Sequence, residues 1–239
     1  MSNALWYAVA AGAGNVIGAL AVTRRASGGL RLIEHFVAFG AGFMLAVCLT
    51  EIVPEALAKS GAAAPPLFLA GYLAVHLTQH TLTPHFHFGE ETHRVNAVAG
   101  RSALIGLLLH TFFDGVAIAS AFLVRPELGV LVFVAIVLHK LPEGVTIASL
   151  MLAGGSSGTA AVRAASLLGI ATVAGVLLTD HLGLLVTHGL ALSAGVTLYV
   201  AASNLVPEFQ GKRGWKLPAA FFAGAAVFYL TKLLLDRAW

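Results

Sequence analysis

Charged residues are scarce in this sequence. Only 10% of its 239 residues are Asp, Glu, Lys or Arg, and 58% are hydrophobic, whereas an ordinary soluble domain has about 25% charged and about 45–50% apolar residues. The mean hydropathy of +0.87 agrees with that imbalance. The composition argues against a water-soluble enzyme and predicts an all-α polytopic membrane protein in which the lipid bilayer is the surrounding solvent.

Other features are also missing. A single cysteine, Cys48, excludes an intramolecular disulfide. No basic stretch precedes the first apolar segment, so residues 4–23 are interpreted as a retained spanning helix rather than a signal peptide. The basic residues lie almost entirely between apolar segments, which gives no indication of a nucleic-acid partner.

Apolar segments long enough to cross a bilayer, about 20 residues each, fill most of the chain. Eight are predicted within one transmembrane domain covering residues 1–239, and they lie at about 4–23, 33–57, 66–84, 98–122, 127–151, 162–187, 189–209 and 217–235. The break between the sixth and seventh segments is placed at His188-Gly189. A short polar loop, 85–97, separates the third and fourth segments.

The distribution of Lys and Arg predicts the orientation, because these residues concentrate in cytoplasmic loops. With the N-terminus outside, nine basic residues fall on the inner side and four on the outer side. The inner set is Arg24, Arg25, Arg31, Arg94, Arg101, Arg163, Lys212, Arg213 and Lys216, and the outer set is Lys59, Arg125, Lys232 and Arg237. Both termini are therefore predicted to lie outside.

The fourth and fifth segments each contain an imidazole and a carboxylate four residues apart. His110 and Asp114 form the first pair, and His139 and Glu143 form the second. Residues i and i+4 share one face of a helix, and a charge at bilayer depth costs at least about 2.5–3.5 kcal/mol, so such groups are usually functional. An interhelical hydrogen bond that only serves packing is the alternative explanation of each pair.

Together the two pairs offer two nitrogen and two oxygen donors. If the imidazoles are neutral, the two carboxylates balance a divalent cation. This donor set suits Zn(II) and also Fe(II), Mn(II), Co(II) and Cd(II). Pro142 removes one helical N–H donor, which frees the carbonyl of Leu138 beside His139, and Gly115 and Gly144 allow neighbouring helices to approach closely.

A short repeat supports a symmetric architecture. The second segment ends in Val53-Pro54-Glu55 and the seventh ends in Val206-Pro207-Glu208. The two segments run in opposite directions across the membrane, as do the fourth and fifth. This pattern is typical of inverted-repeat transporters with a site at the repeat interface, and it predicts an arrangement of three, two and three helices.

The two central motifs resemble the fourth and fifth helices of the ZIP (Zrt/Irt-like protein) family of metal-ion transporters. The resemblance covers the whole chain, including the eight spans, the outer termini, the His-bearing loop and the Pro-Glu that ends the second helix. It implies that the primary metal ligands are His110, Asp114, His139 and Glu143. It also implies that the metal is a transported substrate and that no catalytic cofactor is needed.

The chain departs from the family pattern at several positions. Thr111 and Phe113 stand where relatives often have Asn and Pro, and Asp114 replaces a glutamate. Lys140 occupies a position that often ligates a second metal, and the sixth segment has no acid in its middle. We therefore expect a site for one ion, with Lys140 as a fixed substitute for the second cation; the alternative is that Lys140 snorkels or pairs elsewhere.

Other polar residues suggest a route for the ion. Glu51 and Glu55 at the outer end of the second segment, and Asp180 and His181 near the outer end of the sixth, are candidates for the entry pathway. His80, Asn204 and Glu208 are candidates for the exit. The cytosolic loop could buffer metal through His85, His87, Glu90, Glu91 and His93.

The sequence thus favours uptake of a divalent transition metal, zinc first, into the cytoplasm by alternating access. The short loops suggest the plasma membrane of a bacterium, that is, its inner membrane. The alternative is an intramembrane zinc hydrolase, but no His-Glu-x-x-His pair and no spare general base accompany the ligands. Whether the chain forms a homodimer stays open.

Overall fold

Every regular element in the described part of the chain is helical. The structure, a computed structural model, describes residues 2–24, 30–81 and 97–238. The α-helices are α1 (Ser2–Thr23), α2 (Leu30–Val47), α3 (Val53–Ser60), α4 (Ala64–Thr81), α5 (Ala97–Val124), α6 (Pro126–Ala153), α7 (Gly158–His181), α8 (Gly183–Tyr199), α9 (Pro207–Gln210) and α10 (Lys216–Ala238).

Seven helical stretches within the described residues are long and apolar enough to cross a membrane. One of them, Glu34–Gln79, is 46 residues long, and it contains most of α2, all of α3 and most of α4. The predicted all-α membrane protein is therefore confirmed. The division of this stretch into two crossings, and with it the count of eight in a 3+2+3 arrangement, stays a prediction.

One predicted connection has a turn where it was expected and another does not. Between the predicted segments 33–57 and 66–84 the chain turns at Gly61, which has a φ of 53° and leads into the 3₁₀ turn Gly61–Ala63. The break placed at His188-Gly189 is wrong, because α7 ends at His181 and α8 begins at Gly183. α7 also begins earlier than predicted, at Gly158, because the Ser157 side chain caps it by accepting a hydrogen bond from the Ala160 N–H, at 3.2 Å.

Two helix bundles can be recognised from the packing. In the first bundle α1 packs against α6 and α7, and α5 packs against the same two helices. In the second bundle α2 packs against α10, and α4 packs against α8. The bundles meet where α5 contacts α8 and where α2 contacts α6.

A π-helical turn interrupts a long helix in each half of the chain. Cys48–Ile52 joins α2 to α3, and Val200–Leu205 lies between α8 and α9. Each turn comes directly before one copy of Val-Pro-Glu. Proline has no N–H, so the carbonyl four residues before it loses its helical hydrogen-bond partner. The helix adopts the wider π-helical hydrogen-bond pattern next to that point. The repeat seen in the sequence is thus accompanied by the same backbone irregularity.

Candidate metal site

The middles of α5 and α6 bring the four predicted ligands together. His110, Asp114, His139 and Glu143 each offer one ligand atom, and these atoms all lie within 4.8 Å of one another. All four side chains are buried. The i,i+4 spacing places each pair on one helix face, and the packing of α5 against α6 turns the two faces toward each other.

Asp114 lies at the centre of this group. Its Oδ2 is 3.4 Å from His110 Nε2 and 3.4 Å from His139 Nε2. The two imidazole rings lie side by side, with their centroids 5.5 Å apart. One carboxylate oxygen thus faces the Nε2 atoms of both histidines.

Backbone contacts orient the ring of His139. Its Nδ1 lies 3.1 Å from the carbonyl oxygen of Ala135, so a proton on Nδ1 is donated to that carbonyl. The other ring nitrogen, Nε2, faces the centre of the cluster and lies 3.4 Å from Asp114 Oδ2. A second hydrogen bond of this kind is what usually fixes the tautomer of metal-ligating histidines.

Lys140, which follows His139 on α6, contacts both carboxylates of the cluster. Its Nζ lies 2.7 Å from Asp114 Oδ2 and 2.8 Å from Glu143 Oε2. The lysine side chain is fully buried, so it does not snorkel. Two carboxylates and one ammonium leave one net negative charge if both imidazoles are neutral. Lys140 therefore pairs with the two acidic ligands, as a substitute cation would.

Two polar atoms of the ligand residues have no hydrogen-bond partner among the described residues. They are His110 Nδ1 and Glu143 Oε1, and both are buried. Unpaired polar atoms are costly away from water. His110 and Glu143 thus each keep one buried polar atom that no described residue satisfies.

Glycines at the two motifs permit the tight packing that surrounds the site. A Cβ on Gly115 would lie 1.9 Å from the carbonyl oxygen of Thr172 on α7, and one on Gly144 would lie 2.0 Å from that of Asn15 on α1. Neither contact is possible with a side chain present. The residues that follow Asp114 and Glu143 thus bring α7 and α1 directly against the ligand-bearing helices.

Asn15 was missed by the sequence reasoning. It is fully buried on α1, and neither its Oδ1 nor its Nδ2 has a hydrogen-bond partner among the described residues. Its neighbour Gly14 packs against Lys140. A lone amide within the apolar run 4–23 is the signal that could have identified it.

The predicted entry residues lie at one end of the helices. Glu51, in the first π turn, and Glu55 both form ion pairs with Arg125. Asp180 and His181 lie at the last turn of α7, where Asp180 is half-buried and His181 is exposed. The use of these residues in metal entry stays a prediction.

The predicted exit residues lie at the other end. Glu208 lines a small cavity together with Glu34 and Lys212, and Asn204 belongs to the second π turn. The side chain of His80 lies outside the described residues, and so do His85, His87, Glu90, Glu91 and His93 of the predicted buffering loop.

Comparison with known proteins gives one family match. A family model described as ZIP Zinc transporter matches residues 89–232, which is more than half of the chain and includes both motifs. No curated protein matches the sequence.

Proposed function

The chain belongs to the ZIP zinc transporter family, and from this premise we propose that it carries a divalent transition-metal cation, zinc in the first place, into the cytoplasm. The observation that supports the proposal most is the convergence of four buried donor atoms within 4.8 Å of one another. Membership of a transporter family and this donor set agree on a divalent metal as the substrate.

The donor chemistry suits such an ion. Two imidazole nitrogens and two carboxylate oxygens provide a four-coordinate set of the kind that Zn(II) prefers. Fe(II), Mn(II), Co(II) and Cd(II) accept the same ligand types. The metal is the transported substrate in this scheme, and no covalent chemistry is required.

We propose alternating access as the mechanism. All four ligands belong to α5 and α6 of the first bundle, whereas α2, α4, α8 and α10 form the second. A shift of one bundle against the other would expose the ligands first at one end and then at the other. Glu51, Glu55, Asp180 and His181 would line the entry, and His80, Asn204 and Glu208 the exit.

Lys140 limits the site to one metal ion in this proposal. Its ammonium already holds one oxygen from each carboxylate, and a protonated lysine cannot ligate a metal. The lysine thus supplies the positive charge that a second metal would bring. The predicted plasma-membrane location, in a bacterial inner membrane, and the orientation with both termini outside are part of the same proposal.

Metal uptake by proteoliposomes tests the function. We expect the purified protein to accumulate Zn(II) and, across a metal series, to rank the five candidate ions. Replacing His139 or Glu143 with Ala should abolish uptake without preventing folding, because each change removes a donor from the cluster. The fluorescence of an entrapped metal-sensitive dye measures uptake, and gel filtration shows whether each variant is folded.

A matched control removes an imidazole elsewhere. His188 binds the Ser60 hydroxyl through Nδ1, at 3.0 Å, outside the cluster, so His188→Ala should retain uptake. Uptake that survives both His139→Ala and Glu143→Ala would refute the four-ligand assignment. Cleavage of lipid or peptide without metal flux would instead favour the intramembrane hydrolase. A hydrolase would need a carboxylate as general base, and Lys140 already pairs with both carboxylates of the cluster.

A further inference from the structure

An ion-pair cluster outside the metal site connects the two helix bundles at one end. The guanidinium of Arg125 donates to Glu51 Oε2 at 2.7 Å and to Glu55 Oε2 at 2.9 Å. Lys232 lies 3.1 Å from Glu51 Oε1 and 3.2 Å from Asp236 Oδ2. We call Glu51, Glu55, Arg125, Lys232 and Asp236 the end cluster.

Glu51 is the least exposed member of the end cluster. Its side chain is 8% exposed, and each of its two oxygens is paired with a different cation. A buried carboxylate that loses all of its partners is strongly destabilising. Glu51 keeps one cationic partner when either Arg125 or Lys232 alone is replaced.

The two cations come from different bundles. Arg125 precedes α6, and its backbone N–H bonds to the Ala121 carbonyl of α5, so it belongs to the first bundle. Lys232 lies on α10 of the second bundle. Glu51 lies in the π turn that follows α2, and Glu55 lies on α3, which packs against α8, so both also belong to the second bundle. The bonds from Arg125 to Glu51 and Glu55 thus cross between bundles, whereas the bond from Lys232 to Glu51 does not.

The crossing bonds lie at the end of a stripe that leads to the ligands. Arg125, Leu128, Val132, Ala135 and His139 follow one another at spacings of three and four along one face of α6. Leu128, Val132 and Ala135 are buried. This buried apolar stretch lies between Arg125 and His139 on the same face of α6.

We propose that Arg125 is a latch that holds the two bundles together at this end, and that the latch must open before the metal site can be reached from there. The two carboxylates that it releases, four residues apart on one face, then become free to accept an incoming cation. The role of the latch in transport rests on the proposed function, but the opening of the latch can be measured without any metal flux.

The test follows the accessibility of a cysteine placed under the latch. Cys48 is the only cysteine of the chain and is buried, so Cys48→Ser combined with Val132→Cys gives a parent with one reporter thiol. The purified parent, reconstituted in lipid nanodiscs, is treated with a membrane-impermeant maleimide. We expect slow labelling in the parent and labelling about tenfold faster or more after Arg125→Gln, because two charge-assisted hydrogen bonds are lost.

Lys232→Gln is the matched control. It also removes one cation from Glu51, but no bond that crosses between the bundles, so the labelling rate should equal that of the parent. Equal acceleration by Lys232→Gln and Arg125→Gln would overturn the latch, since it would reflect general loosening around Glu51. A rate that Arg125→Gln leaves unchanged would overturn it as well.

Arg125→Lys keeps the test decisive if Arg125→Gln does not yield folded protein by gel filtration. One ammonium cannot reproduce the two-pronged contact of a guanidinium, so the labelling rate should lie above that of the parent. A rate equal to the parent's would reject the latch. Loss of metal uptake in His139→Ala with normal labelling kinetics would leave the latch intact, which separates this inference from the proposed function.

Discussion

His139 uses its two ring nitrogens for different contacts. Nδ1 lies within hydrogen-bond distance of the Ala135 carbonyl, and Nε2 faces Asp114. The backbone of one helix thus fixes the imidazole whose other nitrogen would bind the ion. His110, by contrast, has a buried Nδ1 without a partner among the described residues, so its ring is oriented through the contact of Nε2 with Asp114.

Lys140→Asp should create a second binding position. The change removes the ammonium that Asp114 and Glu143 share and adds a third carboxylate, so a second divalent ion can replace the lost positive charge. We expect two ions per chain by isothermal titration calorimetry or anomalous scattering, against one in the parent.

Lys140→Met is the control for this change. It removes the same charge without adding a ligand, and methionine has a similar length, so we expect one ion per chain. A stoichiometry of one in Lys140→Asp would show that Lys140 does not stand in for a second metal.

The placement of His110 with Asp114, and of His139 with Glu143, on one helix face could be predicted from the sequence, because an i,i+4 spacing depends only on helix geometry. The central position of Asp114 and the contact of Lys140 with both carboxylates could not, since they depend on how α5 and α6 pack. The same holds for Asn15, which is brought close to Gly144 only by the packing of α1 against α6.

Among the helices, the closest approach at the site is made through glycine. Gly115→Ala should lower the free energy of unfolding by about 1–3 kcal/mol, the usual cost of overpacking. The added methyl group would lie 1.9 Å from the Thr172 carbonyl oxygen, and backbone atoms cannot move aside as a side chain can. Thermal unfolding in detergent measures the change as a lower Tm.

Gly183→Ala is the comparison for this substitution. A Cβ there meets no atom within 4 Å, so the stability should change by less than about 0.5 kcal/mol. Equal Tm values for the two variants would mean that α5 and α7 separate more readily than their contact suggests.

The boundaries of the elements were less predictable than their existence. The length of the apolar segments was enough to predict the helices. The π turns could not be predicted from hydropathy, although a proline follows each of them in the sequence. The early start of α7 depends on a single capping hydroxyl, that of Ser157. Local hydrogen bonds of this kind decide where a helix begins, and composition does not record them.

For the whole molecule, the number of crossings decides the topology. The stretch Glu34–Gln79 has 46 residues, which at 1.5 Å per residue is about 69 Å of helix, more than twice the hydrocarbon thickness of about 30 Å. The turn at Gly61 interrupts it. We therefore expect two crossings in this stretch and eight in total.

Epitope tags test this count. With eight crossings both termini lie on one side, and the basic residues place that side outside. Antibodies applied to spheroplasts, from which the outer membrane has been removed, should bind an N-terminal tag and a C-terminal tag equally well, and a tag inserted after Gly214 should be reached only after permeabilisation of the inner membrane. Exposure of one terminus alone would indicate seven crossings.

Because every donor of the cluster belongs to the first bundle, a rigid shift of that bundle would leave all distances among the donors unchanged. The coordination shell would then be the same whichever side the ion faces, and so would its intrinsic affinity. Directionality could not come from a weakening of the ligands during the crossing. It would have to come from the difference in free metal concentration or from a coupled ion.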